Sequence, residues 1–155
     1  MRIAVFPGSF DPFTKAHQDL VDRGLGLFDK IYIAIGVNSS KKGLLDYETR
    51  KLAIEKLYEG NEQIEVRTFS GLTVNFCQEV QANYILRGLR NSKDLEYEDG
   101  IAQNNLILAP HIETYFLLSR SGTAHISSTI ARDIWLNEGP IDTLVPAAVL
   151  SFMRK

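Results

Sequence analysis

Five short stretches of the chain carry side chains that could handle charge. Residues 6–17, FPGSFDPFTKAH, end an apolar run in turn residues and then place His17 three positions after Thr14. Gly8 and Ser9 can turn the chain so that backbone N–H groups point outward, and Thr14 is a natural helix N-cap. His17 then falls in a first helical turn, where unpaired N–H groups and roughly half a positive charge favour an anion. The same field disfavours imidazolium, so a neutral ring that donates a hydrogen bond is expected. Alone, His17 fits a histidine capping its own helix as well as it fits a phosphate ligand. Arg87-Gly88-Leu89-Arg90 is sharper. Two arginines straddle a glycine at the end of an apolar run, and guanidinium suits bidentate phosphate contact. Ile126-Ser127-Ser128-Thr129 brings three hydroxyls to another helix start, as simple caps or as a second anion pocket. Ser40-Lys41-Lys42 taken alone is a solvated loop. Glu96-Tyr97-Glu98-Asp99 is a charged helix start from which Glu98 could still reach a ribose hydroxyl. On one rim, these groups make more positive potential than a solvated surface needs. A polyphosphate ligand accounts for it.

Sharing a rim requires a particular set of elements. Apolar runs at 2–6, 30–37, 63–68, 83–87 and 112–118 alternate with helical patterns. The runs IYIAIGV and IETYFLL are nearly continuous, as expected of strands covered on both faces. After Thr14, Ala16, Leu20, Val21, Leu27 and Phe28 follow one face of a 3.6-residue period. Asp46 is a natural N-cap for the next helix. Further helices are expected over 72–81, over 93–108, after Ile126 and from about Pro146. Repeated strand-then-helix units with short connections predict a doubly wound five-stranded parallel sheet, an α/β fold with helices on both faces. Such sheets bind ligands beyond the carboxyl ends of their strands. Pro7–His17, Asn38–Lys42, Phe69–Thr73, Arg87–Arg90 and Ser119–Thr129 each follow a strand, so all five should meet on one edge.

Bulk properties narrow the class. The 155 residues suit a single domain, 1–155, and suffice to bury roughly 68–70% of the unfolded surface. A formal net charge of −2 offers no basic footprint for nucleic acid. The single cysteine, Cys77, lies in an apolar helical pattern and reads as a buried small hydrophobe. With no disulfide framework, leader-like segment or membrane-length apolar run, the expected setting is the cytoplasm. His17, His111 and His125 lack zinc spacing, and no GxSxG, GxxxxGK[ST] or GxGxxG motif occurs.

Together, PGSFDPFTxxH, the Ser-Lys-Lys segment, FSGLTVNF, RGLRxxxDxEYE, LAPxIET and ISSTxxR make a specific set spanning nearly the whole chain. That set resembles the bacterial phosphopantetheine adenylyltransferases; TxxH alone would indicate only the wider nucleotidyltransferase superfamily and its Rossmann-like fold. The resemblance implies transfer of the adenylyl group of ATP to 4′-phosphopantetheine, with magnesium (Mg2+) and a homo-hexameric assembly. It implies catalytic roles for His17, Lys41 and Arg90. It assigns Ser9, Phe10, His17, Gly88, Leu89, Arg90, Glu98 and the segment Thr123, Ala124, His125, Ile126, Ser127, Ser128 and Thr129 to ATP. Ser9, Lys41, Thr73 and Arg87 fall to the phosphopantetheine. The chain departs from the family at Ala16, where a glycine is usual, at Thr123-Ala124-His125, where aromatics are common, and at Asn105-Leu106, where Asn-Arg is usual. Competing readings are a related nucleotidyltransferase with another phosphorylated acceptor, a flavodoxin-like carrier, and a non-catalytic nucleotide-binding protein.

Overall fold

The computed structural model describes residues 1–154. Five strands, β1 (Ile3–Gly8), β2 (Lys30–Gly36), β3 (Ile64–Phe69), β4 (Tyr84–Leu89) and β5 (Glu113–Leu118), form one sheet of order β3-β2-β1-β4-β5. Every neighbouring pair is parallel. The helices between and after them are α1 (Lys15–Gly24), α2 (Tyr47–Leu57), α3 (Thr73–Glu79), α4 (Ser92–Leu108), α5 (Ser128–Leu136) and α6 (Ala147–Met153). The chain winds outward from β1 to β3, then returns beside β1 to lay down β4 and β5. The strand order therefore reverses between β1 and β4, and the loops diverge there to open a crevice at the carboxyl edge.

Side-chain alternation explains why both faces are covered. Ile31, Ile33 and Ile35 of β2 point into one core with Phe6, Leu86, and Leu20 and Val21 of α1. Tyr32 and Ala34 point to the other, with Val5, Ile85, and Val74, Phe76 and Cys77 of α3. Each buried isoleucine contributes roughly 1.5–3 kcal/mol, so a register slip in β2 would forfeit several such terms at once. Expected caps form. Thr14 caps α1, Asp46 accepts from the Thr49 N–H at 2.7 Å, and Ser127 caps α5.

Two sequence expectations need correction. The run IETYFLL was expected to be covered on both faces, yet β5 is an edge strand, with Tyr115 44% and Leu118 70% exposed. No further strand flanks it among the described residues, and apolar content alone cannot distinguish edge from centre. Leu27 and Phe28 also fall outside the first helix, which ends at Gly24. Leu27 is exposed, whereas Phe28 is buried against the ring of Tyr84 at 5.4 Å.

Candidate active site

At the carboxyl end of β1 the chain turns back on itself by burying aromatic rings. Phe10, with φ of 49°, packs between Phe6 and Phe13 at ring separations of 5.2 and 5.3 Å. His17 sits against the same group, edge-on to Phe10 at 5.0 Å and tilted over Phe13 at 5.2 Å. Thr14 and His17 form a reciprocal cap. The Thr14 hydroxyl accepts from the His17 N–H at 3.3 Å, and the Thr14 N–H donates to Nδ1 at 3.0 Å. A nitrogen that accepts from an amide carries no proton, so the neutral ring keeps its hydrogen on Nε2. Burial, then the charges of Arg87 and Arg90, push this imidazole down from 6.5 to about 3. His17 is therefore both of the things its position allowed. It caps its helix with Nδ1 and presents an uncharged Nε2–H donor, which has no hydrogen-bond partner among the described residues.

The cleft that His17 lines has a volume of about 260 Å³, and Gly88, Arg90 and Ser127 to Thr129 complete its wall. Arg87, at the shared edge of this cleft and the next, is held rigidly. Its Nε donates to both carboxylate oxygens of Glu98 at 3.1 Å, Nη2 also bonds that carboxylate, and Nη1 donates to the Pro7 carbonyl at 2.6 Å. Glu98 is only 7% exposed. Its carboxylate aims Arg87, a use that residue type alone did not reveal. Arg90 is more open, anchored through its backbone N–H to Asp94 at 2.9 Å with its side chain 40% exposed. Across the cleft, the hydroxyls of 127–129 serve structure. Ser127 caps α5 by accepting from the Ile130 N–H, Ser128 donates to the Pro12 carbonyl at 2.8 Å, and Thr129 accepts from Arg132. What α5 offers an anion is its unpaired first-turn N–H groups.

Two depressions adjoin the cleft along the same edge. One is lined by Thr73, Phe69, Ile101 and Asn105, and shares Pro7, Gly8, Arg87 and Glu98 with the first. The other, about 640 Å³, is lined by Ser9, Asn38, Lys41 and Lys42. The edge thus gathers His17, Arg87, Gly88, Arg90, Glu98 and 126–129 at its centre, with Thr73 and then Ser9 and Lys41 beside them. Phe10 lines the central cleft, and Ala16 brings a methyl to the same wall. Leu89 is buried in the sheet. Thr123, Ala124 and His125 form the turn leading into α5 and do not line the cleft.

Sequence reasoning missed a charged hub beneath these loops. Asp11 and Arg50 are each 4% exposed, with Arg50 Nη2 at 3.4 Å from Asp11 Oδ2. Asp11, between Phe10 and Pro12, carried only a turn signal, and Arg50 lay in a helix whose apolar positions drew the attention.

Two helix N-termini, a neutral donor and two guanidinium groups can bind and align anions and stabilise charge on a phosphoryl centre. Among the described residues, no nucleophile paired with a base appears along the edge. Comparison with known proteins agrees. Residues 5–134 match the cytidylyltransferase-like family model. The chain is 49% identical to the phosphopantetheine adenylyltransferase of Christiangramia forsetii over 96% of this chain and 98% of that one. It is 48% identical to the same-named protein of Flavobacterium johnsoniae, covering 96% and 97%, and 39% identical to that of Limosilactobacillus reuteri, covering 100% and 90%. A solved structure from Vibrio parahaemolyticus, provisionally named a nicotinate-nucleotide adenylyltransferase, superimposes with a TM-score of 0.72 over the whole of both chains. At 17% identity it speaks for the nucleotidyltransferase fold alone. On these grounds the chain belongs to the phosphopantetheine adenylyltransferase family of the cytidylyltransferase-like proteins.

Proposed function

We propose that this protein transfers the adenylyl group of ATP to 4′-phosphopantetheine, giving dephospho-coenzyme A and pyrophosphate. The observation that carries the chemistry is His17, a donor kept neutral and aimed into a cleft between two helix N-termini. An oxygen of the acceptor phosphate bonds to the α-phosphorus of ATP while the bond from that phosphorus to the α,β-bridging oxygen breaks. The electron pair leaves with pyrophosphate. A phosphate monoester has a second pKa of about 6 and is largely dianionic at neutral pH, so no general base is needed.

Transition-state charge grows on the oxygens of the α-phosphate, and His17 Nε2–H donates there. Arg90 and the N–H groups of Ser128 and Thr129 hold the phosphates that leave. Ser9 and Phe10 meet the nucleotide through their backbone, with Gly88, Ile126 and Ser127 around it; Leu89 and Thr123 to His125, which the resemblance also assigns to ATP, lie outside the cleft lining. Lys41 neutralises the attacking phosphate, and Thr73 and Arg87 hold the rest of the acceptor. Glu98 enters this reading through Arg87, whose guanidinium it fixes.

Among the described residues no cluster of three or more His, Cys, Asp or Glu is placed to hold a metal ion. The nearby carboxylates of Glu98, Asp94 and Asp11 are each engaged by an arginine. Magnesium belongs to this reading as a companion of the ATP phosphates. The homo-hexamer that the resemblance implies belongs to this proposal; exposed apolar side chains on α4 and β5, including Tyr97 at 72%, Ile107 at 78% and Leu118 at 70%, offer surface for self-association. A cytoplasmic setting, with neither nucleic acid nor membrane as partner, is part of the proposal; the net charge is −2, and no helix among the described residues is long and apolar enough to cross a membrane.

The test is coupled pyrophosphate release. ATP with 4′-phosphopantetheine should turn over while ATP alone does not. Equal or faster turnover with CTP, or with a sugar, glycerol or nicotinamide phosphate as acceptor, would defeat the assignment.

A further inference from the structure

The segment 37–46 that carries Lys41 has little structure of its own. Residues 37–43 are exposed, and no helix or strand covers 37–46. Its first residues are held by Val37 on β3 and by Asn38, which exchanges hydrogen bonds with the Tyr47 hydroxyl and accepts from the Lys41 N–H at 3.1 Å; its last residues are located by the buried hub. The two carboxylate oxygens of Asp11 accept one hydrogen bond each from the Leu44 and Leu45 N–H groups, both at 2.8 Å. Arg50 completes the clamp, donating from Nε to the Leu45 carbonyl at 2.9 Å and from Nη1 to the Ser9 carbonyl at 3.1 Å. Gly43 passes directly over the pair. A Cβ there would lie 2.0 Å from Arg50 Nη2 and 2.6 Å from Asp11 Oδ2, so no side chain fits without lifting the loop. Three covalently successive residues, Gly43 to Leu45, are thereby pinned to the loop that bears Ser9, and Lys41 stands only two residues earlier.

A buried ion pair is a poor way to gain stability, because desolvation offsets most of its attraction; its best-attested use is to fix register. From the geometry we infer that Asp11 and Arg50 are positioning residues, holding the Lys41 loop in register with the Ser9 loop so that the Lys41 ammonium meets the acceptor phosphate. The inference rests on the proposed role of Lys41 in the acceptor site. It also has a directional consequence. Arg132 bonds the backbone carbonyl of Asp11 at 2.8 Å, not its carboxylate, so α5 stays anchored when Arg50 is changed. The effect should therefore fall mainly on the acceptor, with a smaller one on ATP through the Ser9 carbonyl that Arg50 also holds.

The experiment uses the full-length enzyme with Arg50→Lys, Gly43→Ala, Lys41→Ala and the double variant Arg50→Lys/Lys41→Ala. Pyrophosphate release is measured with each substrate varied in turn, alongside thermal unfolding. Lysine keeps the charge of Arg50 but cannot form its fork of bonds. Misplacing a reacting group by about 1 Å can cost about 10²-fold. Arg50→Lys and Gly43→Ala should each lower kcat/KM for 4′-phosphopantetheine roughly 10- to 100-fold, while the KM for ATP moves less than about threefold. In the Lys41→Ala background, Arg50→Lys should add less than about threefold, since it acts through a side chain already removed. Effects that multiply in the double variant, or a rise in the KM for ATP that equals the acceptor loss and tracks a fall in Tm, overturn the inference. If Lys41→Ala alone leaves the acceptor KM unchanged, the acceptor-site reading of Lys41 has failed instead. Should Arg50→Lys not fold, Gly43→Ala alone and combined with Lys41→Ala gives the same comparison.

Discussion

Replacing His17 with alanine removes two separable things, and their sizes differ enough to tell apart. The first is structural. The Thr14 N–H loses its acceptor at Nδ1, a loss comparable to half a capping box, and the ring contacts with Phe10 and Phe13 disappear. A cap contributes about 1 kcal/mol and each aromatic contact about 0.5–1.5 kcal/mol, so the variant should lose roughly 2–4 kcal/mol. Against an ordinary stability of about 5–15 kcal/mol, it stays folded at 25 °C. The second loss is the Nε2–H donor. Removing one such donor from a charge-stabilising site costs about 2.7–4 kcal/mol, or roughly 10²–10³-fold in kcat. Pyrophosphate release at saturating ATP and 4′-phosphopantetheine reads that loss, calorimetric ATP binding reads the ground state, and thermal melting reads the fold. The expected result is a kcat lowered by two to three powers of ten, with ATP affinity changed far less. A drop in kcat of less than tenfold, or ATP affinity falling in step with kcat, would refute the role. The neutrality of the ring adds a further check. With its pKa pushed down to about 3, His17 does not titrate between pH 5 and 8. An inflection of kcat near pH 6.5 that disappears in His17→Ala would contradict the donor argument.

Further outcomes follow from the same geometry. His17 is depressed from 6.5 to about 3 on folding, so below pH 6.5 the unfolded chain takes up a proton that the folded one refuses. Its contribution is complete above pH 6.5 and lost as pH falls toward 3, with a slope of up to about 1.36 kcal/mol per pH unit. Urea unfolding of the wild type and His17→Asn should therefore converge across this window, and parallel curves would contradict it. A Cβ at Gly88 would meet Leu20 Cδ1 at 2.4 Å, and Leu20 is itself buried where α1 packs on β4. Gly88→Ala should cost about 1–3 kcal/mol in a urea titration; an unchanged midpoint would mean that α1 shifts freely. Burial pushes the Cys77 thiol up to about 12, so a thiol reagent at pH 8 should label the protein only after denaturation. Rapid labelling of the native protein would show that the α3 face of the core opens.

Much of this molecule could be read in one dimension because the signals are local. The apolar runs RIAVF and IYIAIGV became β1 and β2, and Thr14, Asp46 and Ser127 cap the helices that follow them. Parallel winding then forces every strand-following loop onto one edge, so the neighbourhood of His17, Arg87, Arg90 and Ser128 was determined before any distance was known. Tertiary structure alone decided the rest. It made β5 an edge, since apolar content does not encode which strand lacks a neighbour. It turned Glu98 toward Arg87, and it buried Asp11 with Arg50 across 39 positions of sequence, since 50 − 11 = 39. Partners so far apart leave no periodic trace, because a charge reveals its mate only when folding removes the water that would otherwise solvate both.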